Sequence, residues 1–132
     1  MSVFPRNRVF LFAAALLAAA QALLAGTPSA RTQARMVFDP TTSSVIMFGG
    51  QSPFDKGTAK SYDLDETWLW NGSRWVQHYS NVTPPARSAF AMVWDSKRSR
   101  ALLFGGKQGA TELGDTWVYR NGEWSAVDTP NA

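Results

Sequence analysis

RALLFGGKQGATELGDTWVYRNGEW (Arg100–Trp124) runs through an apolar stretch closed by two glycines, a polar loop, an acidic-Thr-Trp triplet and an Asn-Gly turn ahead of a second Trp. The same order occurs earlier in the chain. Phe48-Gly49-Gly50 precedes Glu66-Thr67-Trp68, as Phe104-Gly105-Gly106 precedes Asp115-Thr116-Trp117. Shifting the sequence by 56 positions superimposes residues 28–51 on 84–107 with 10 of 24 pairs identical, against about one or two by chance at ordinary residue frequencies. The identities are Pro28/Pro84, Ala30/Ala86, Arg31/Arg87, Met36/Met92, Val37/Val93, Asp39/Asp95, Ser43/Ser99 and the two Phe-Gly-Gly triplets. Beyond the glycines the offset falls to 49, so the first copy carries seven extra residues between Gln51 and Asp65. The chain therefore holds two copies of a unit of roughly 50 residues, a period typical of repeat architectures.

Each copy reads as a four-stranded antiparallel meander. In the second, Ser88–Asp95 forms strand A, and Asp-Ser-Lys-Arg-Ser turns into strand B, Arg100–Phe104, a short apolar run of the kind buried on both faces. Lys107–Gly114 is a polar loop, and Thr116–Tyr119 is strand C. Asn121-Gly122 is a type I′ hairpin signal, because both residues tolerate positive φ, and Glu123–Val127 returns as strand D. In the first copy the strands are Arg31–Asp39, Ser44–Phe48, Thr67–Asn71 and Arg74–His78. Pro84 and Pro85 break pairing between the copies. Four strands per unit of this length is the pattern of a β-propeller blade. Trp68/Trp75 and Trp117/Trp124, at matching places on strands C and D, are expected to fill the space between neighbouring sheets.

Ahead of the repeats, Val9–Ala25 is apolar apart from Gln21, and Arg6 and Arg8 precede it with no acidic residue before Asp39. A basic n-region before an apolar h-region reads as a secretory signal peptide, with Ala20-Gln21-Ala22 as the small-x-small cleavage site; an uncleaved membrane anchor is the alternative. The expected organisation is residues 1–26 as a helical signal peptide or anchor and 27–132 as a partial β-propeller, blade one over 28–83 and blade two over 84–130. Either way the repeats are placed across a membrane, secreted, periplasmic or tethered there. Beyond Arg6 and Arg8 the chain has 11 basic and 10 acidic side chains, which argues against nucleic acid as a partner. The tightest basic group, Lys97, Arg98 and Arg100, falls in a hairpin turn. With no cysteine, the chain has no disulfide framework, thiolate metal site, cysteine nucleophile or lipidated cysteine.

Phe-Gly-Gly, Asp/Glu-Thr-Trp, Asn-Gly and a second Trp, recurring in order over residues 28–128, resemble kelch repeats. The variety is the bacterial secreted one, similar to the central propeller domain of galactose oxidase. The resemblance implies an all-β fold of two kelch-type blades, with the Gly pair closing strand B. It does not carry over the oxidase chemistry, which uses a copper ion held by Tyr and His and a Tyr cross-linked to Cys. This chain has one His, His78, and no Cys. His78 alone lacks the ligand cluster a metal needs. Asp63, Asp65 and Glu66, with Asp55 nearby, offer oxygen ligands but match no EF-hand spacing, and Glu66 has its counterpart in Asp115. A solvated loop with an acidic residue capping strand C is the simpler reading. A glycosidase carboxylate pair has no facing geometry to support it. Arg31 and Arg87, at one place in both copies, either meet an anionic ligand at a central channel or maintain the blade, and recurrence favours the second. Asn71-Gly-Ser73 and Asn81-Val-Thr83 match glycosylation sequons.

The sequence thus names no catalytic, cofactor or metal residue and calls for no cofactor. It points to a secreted kelch-repeat binding or scaffold module that recognises protein or carbohydrate through the 51–65 loop, with Phe54 and Tyr62, and the 107–114 loop. The alternative is part of a carbohydrate-active propeller enzyme. Closing a propeller takes roughly four to eight blades, so two are expected to be a fragment of a longer propeller, to self-associate, or to dock on a further propeller fragment. Thr129-Pro130, matching Thr83-Pro84, favours the first.

Overall fold

The computed structural model describes residues 25–128; the expected signal or anchor helix, apart from Ala25 and Gly26, lies outside these residues. The described chain is all-β and contains no helix. Its strands are β1 (Ala25–Gly26), β2 (Arg35–Asp39), β3 (Ser44–Phe48), β4 (Thr67–Trp70), β5 (Trp75–His78), β6 (Ala91–Asp95), β7 (Arg100–Phe104), β8 (Lys107–Gln108), β9 (Thr111–Glu112), β10 (Thr116–Arg120) and β11 (Glu123–Val127). They form an antiparallel sheet of order β1-β5-β4-β3-β2, a second of order β11-β10-β7-β6, and the small β8-β9 hairpin. Each sequence copy therefore forms its own meander. Strand β1 adds a fifth strand outside β5, so the first sheet reaches two residues into the stretch expected to be signal peptide or anchor.

The turns repeat as the strands do. Asp39 accepts hydrogen bonds from the Thr41 amide (2.8 Å) and the Thr41 (2.6 Å) and Thr42 (2.8 Å) hydroxyls, while its counterpart Asp95 accepts from the Arg98 amide and from Arg100 Nε at 3.1 Å. Both four-residue turns end on a serine in the left-handed region, Ser43 at φ 53° and Ser99 at φ 49°, as hairpin loops built on a type I turn require. Asn121 (φ 51°) and Gly122 (φ 83°) form the expected type I′ turn. In the first copy Gly72 (φ 95°) comes first of the central pair, the type II′ arrangement, and Asn71 Oδ1 accepts from the Ser73 and Arg74 amides.

Strand A starts later than the sequence suggests, at Arg35 and Ala91 instead of Arg31 and Ser88. Gln33 (φ 57°) and Ala89 (φ 56°) interrupt the extended backbone at the same place in both copies. Neither residue type favours that region, so the break carries no sequence signal. The Gly pairs follow their expected use. Gly50 has φ 98°, and a Cβ on it would meet the Thr32 carbonyl at 2.8 Å; at Gly106 (φ 95°) it would meet the Ser88 carbonyl at 2.7 Å.

The two sheets pack face to face. The first contributes Val37, Ile46, Phe48 and Leu69, and the second Met92, Leu103, Trp117, Tyr119 and Trp124, with Phe90 at its entry. They approach most closely where β2 lies beside β6. Farther out the gap is filled by aromatic rings: Phe48 sits 5.8 Å from Phe90, edge-on, and 5.1 Å from Trp124. Trp124 Nε1 donates to Thr67 Oγ1 at 2.9 Å, a buried bond across the sheets. Burying a side chain of this size stabilises by about 1.5–3 kcal/mol.

Candidate binding loops and the latches beneath them

The loops 51–65 and 107–114 each leave a Gly pair and return to an acidic residue. One arginine holds both ends of each. In the second copy Arg87 NH1 donates to the Gly105 carbonyl (3.0 Å) and to Asp115 Oδ1 (2.6 Å), NH2 donates to Asp115 Oδ2 (2.8 Å), and Nε donates to the Pro85 carbonyl (3.0 Å). In the first, Arg31 NH1 donates to the Gly49 carbonyl (3.2 Å), NH2 to Glu66 Oε2 (2.6 Å), and Nε to the Ser29 carbonyl (3.1 Å). The following Trp completes each set, Trp68 Nε1 donating to Glu66 at 2.9 Å and Trp117 Nε1 to Asp115 at 2.6 Å. The Arg87 side chain is wholly buried while Asp115 keeps 39% of its side-chain surface.

The bidentate geometry is the strong form of an ion pair. Hydrogen bonds from Arg87, then that from Trp117, hold the Asp115 carboxyl down at about 2 against the opposing effect of burial. At Glu66 burial acts to raise the value, but the Trp68 and Arg31 hydrogen bonds outweigh it and the net shift is downward. Both arginines are thus spent on internal carboxylates, and the ligand-facing alternative for Arg31 and Arg87 does not hold in this geometry. The expected acidic cap of strand C is one half of this pair. The signal in the sequence was the joint recurrence of the arginine and the acid at fixed places in both copies.

The two loops meet. The Gly109 amide donates to Asp63 Oδ2 at 2.6 Å, and beneath that contact the Gly50 amide donates to the Arg87 carbonyl (2.9 Å) while the Arg87 amide donates to the Leu64 carbonyl (3.1 Å). Inside the longer loop, Asp55 accepts from the Gly57 amide and the Thr58 hydroxyl, and the Ser52 and Asp55 amides donate to the Tyr62 and Lys60 carbonyls. The loop is therefore an ordered ribbon, and Phe54 and Tyr62 are both more than half exposed on it. The Lys107–Gly114 loop is not irregular throughout, since β8 and β9 form a two-residue ladder within it.

The remaining candidates are accounted for locally. Among the described residues no three of His, Cys, Asp and Glu stand close enough to hold a metal ion: Asp55, Asp63 and Glu66 each serve a separate contact. His78 Nε2 donates to the Gly122 carbonyl of the second sheet, and its ring lies edge-on to Tyr119 at 5.8 Å. It borders a cleft of about 280 Å³ between the sheets, with Asp39, Thr42 and Arg120 also on the lining; burial, then the Asp39 and Glu123 charges, push the Tyr119 hydroxyl upward there. Asp39 on this lining is held within its own turn by the Thr41 and Thr42 hydroxyls. Arg98 and Arg100 pair with Asp95 at 3.4 and 3.1 Å within their own hairpin. In the sequons, Asn71 braces its turn and Asn81 Nδ2 donates to Glu123 at 3.1 Å. No protein-family model and no curated protein matches the chain.

Proposed function

We propose that the chain is a non-catalytic binding module of the kelch type, two propeller blades that recognise a protein or carbohydrate through the joined 51–65 and 107–114 loops. The observation that carries the reading is the contact from Gly109 to Asp63 above two latched loop bases. It joins two segments, the longer of which carries the exposed Phe54 and Tyr62 rings. Aromatic side chains held on a rigid base are efficient anchors, since little rotamer entropy is lost on binding. Asp55, Asp63 and Glu66 accept internal hydrogen bonds, which fits recognition better than turnover. Two four-stranded meanders with Gly pairs at matching positions support the blade assignment, and the N-terminal segment supports action beyond the cytoplasmic membrane. The test is binding of the full chain to a glycan array and to an array of cell-surface proteins, repeated with Phe54→Ala and Tyr62→Ala together. A specific ligand whose affinity falls at least about tenfold in the double variant supports the reading; a ligand held equally well by that variant, or no ligand on either array, refutes it.

A further inference from the structure

We infer that the outward face of the second sheet is a docking surface for a second copy of this chain, which seats its first sheet there just as the second sheet seats against the first within one chain. This is independent of what the loops bind. The interface inside the chain is the template. Phe48 is fully buried because Phe90 and Trp124 of the next sheet cover it, yet its repeat counterpart Phe104, in the same register on β7, is 57% exposed. Val37 is partly covered and its counterpart Val93 is exposed.

The opposite face of the first sheet has the matching half. Met92 and Trp94, turned toward the first sheet, have as counterparts Met36 and Phe38, both more than half exposed, whereas Met47 and Trp68, the counterparts of Leu103 and Trp117, are already buried, so the free part of this face is its β2 side. Beside Met36 lies an apolar hollow formed with Val45, Trp70 and Trp75. Each chain thus carries both halves of an interface it has already formed once, on two different faces, so docking is heterologous and head to tail.

Polar groups match as well, and they favour this occupant over a partner that is apolar alone. Within the chain the segment entering β6 gives its Arg87 amide to the Leu64 carbonyl and takes the Gly50 amide on the Arg87 carbonyl, while the Ala89 amide reaches the Gln33 carbonyl. The counterparts on the second sheet are the Gly106 amide and the Leu113 and Ala89 carbonyls; on the first they are the Arg31 amide and carbonyl and the Gln33 amide. Among the described residues these groups make no such bond. The Trp124 to Thr67 bond likewise has its counterpart in Trp75 Nε1 and Thr116 Oγ1, neither of which has a partner among the described residues. A second copy of this chain supplies all of them in register. One contact is weaker, because Phe90 has Ala34 as its counterpart, and the association is accordingly concentration-dependent.

The test uses the full chain in a mild non-ionic detergent and measures its sedimentation over a wide concentration range, with Phe104→Asp and Phe38→Asp variants checked for native circular dichroism. We expect the unmodified chain to associate in integer multiples and each variant to weaken association at least about tenfold. An equimolar mixture of the two variants, each with one intact face, forms a one-to-one dimer. Slowed hydrogen exchange at the Arg31, Gln33 and Gly106 amides on concentration supports the register directly. A chain that stays monomeric throughout, assembly unaffected by either substitution, or a mixture that fails to pair overturns the proposal.

Discussion

Replacing Arg87 by Met removes the charge while keeping most of the aliphatic volume, and so isolates the latch. The guanidinium makes two bonds to Asp115 at 2.6 and 2.8 Å and one each to the Gly105 and Pro85 carbonyls at 3.0 Å. Truncating one partner of a buried pair costs about 3–5 kcal/mol. Asp115 retains 39% of its side-chain surface, so the orphaned carboxylate is partly hydrated and the lower end applies; two carbonyls left without a donor return part of that relief. We expect a loss of about 3 kcal/mol for Arg87→Met and about 1–2 kcal/mol for Asp115→Asn, with a coupling of about 1–3 kcal/mol in the double-mutant cycle. The assay is urea unfolding followed by the fluorescence of the six Trp residues, of which Trp117 is bonded to the same carboxylate. The pair also sets an acid limit. The Asp115 carboxyl is lowered from 3.8 to about 2 in the folded chain, so its contribution is present above about pH 4 and is lost as pH falls toward 2. With its exposed edge discounted for solvent screening, that contribution is about 1–2 kcal/mol, and it is absent from the pH profile of Asp115→Asn. A cost below about 1 kcal/mol for Arg87→Met, or a coupling near zero, refutes the latch.

Two further predictions follow from close contacts. Gly50→Ala and Gly72→Ala place an alanine at nearly equal φ, 98° and 95°, but the first Cβ lands 2.9 Å from Ala34 Cβ and the second meets nothing within 4 Å; thermal melting should show a loss of about 2–4 kcal/mol for the first and only about 1–2 for the second. Trp124→Phe keeps the ring against Phe48 and removes the bond to Thr67. It is expected to cost about 2 kcal/mol by chemical denaturation, and much less in a Thr67→Val background, where no acceptor is left unpaired.

Strands B were legible to the residue, because Ser44–Phe48 and Arg100–Phe104 are bounded by a polar turn on one side and two glycines on the other. Strand D of the second copy was equally clear, since Asn121-Gly122 fixes where it begins. The start of strand A was not, because left-handed Gln33 and Ala89 are imposed by tertiary contacts such as the Ala89 to Gln33 backbone bond, which no local propensity encodes. Strand β1 escaped for a similar reason: two residues, Ala25 and Gly26, pair with β5 through backbone alone. The loops were recognisable as polar, Gly-containing segments between strands B and C. Their joining was not, because the Gly109 to Asp63 contact connects residues whose loops differ in length between the copies and therefore leave no repeat signal. Nor does sequence reveal that identical Phe-Gly-Gly triplets occupy opposite environments, since burial of the Phe depends on what lies across the sheet.

The contrast between Phe48 and Phe104 follows from two copies of one unit forming two sheets whose shared interface is used once inside the chain. Phe48→Ala and Phe104→Ala are to be compared by urea denaturation at a dilution where the chain is a single copy. The expected loss is about 3–5 kcal/mol at Phe48, where a fully buried ring leaves a cavity, and within about 0.5 kcal/mol at Phe104, which lies mostly in solvent. Equal costs at the two positions contradict that shared interface.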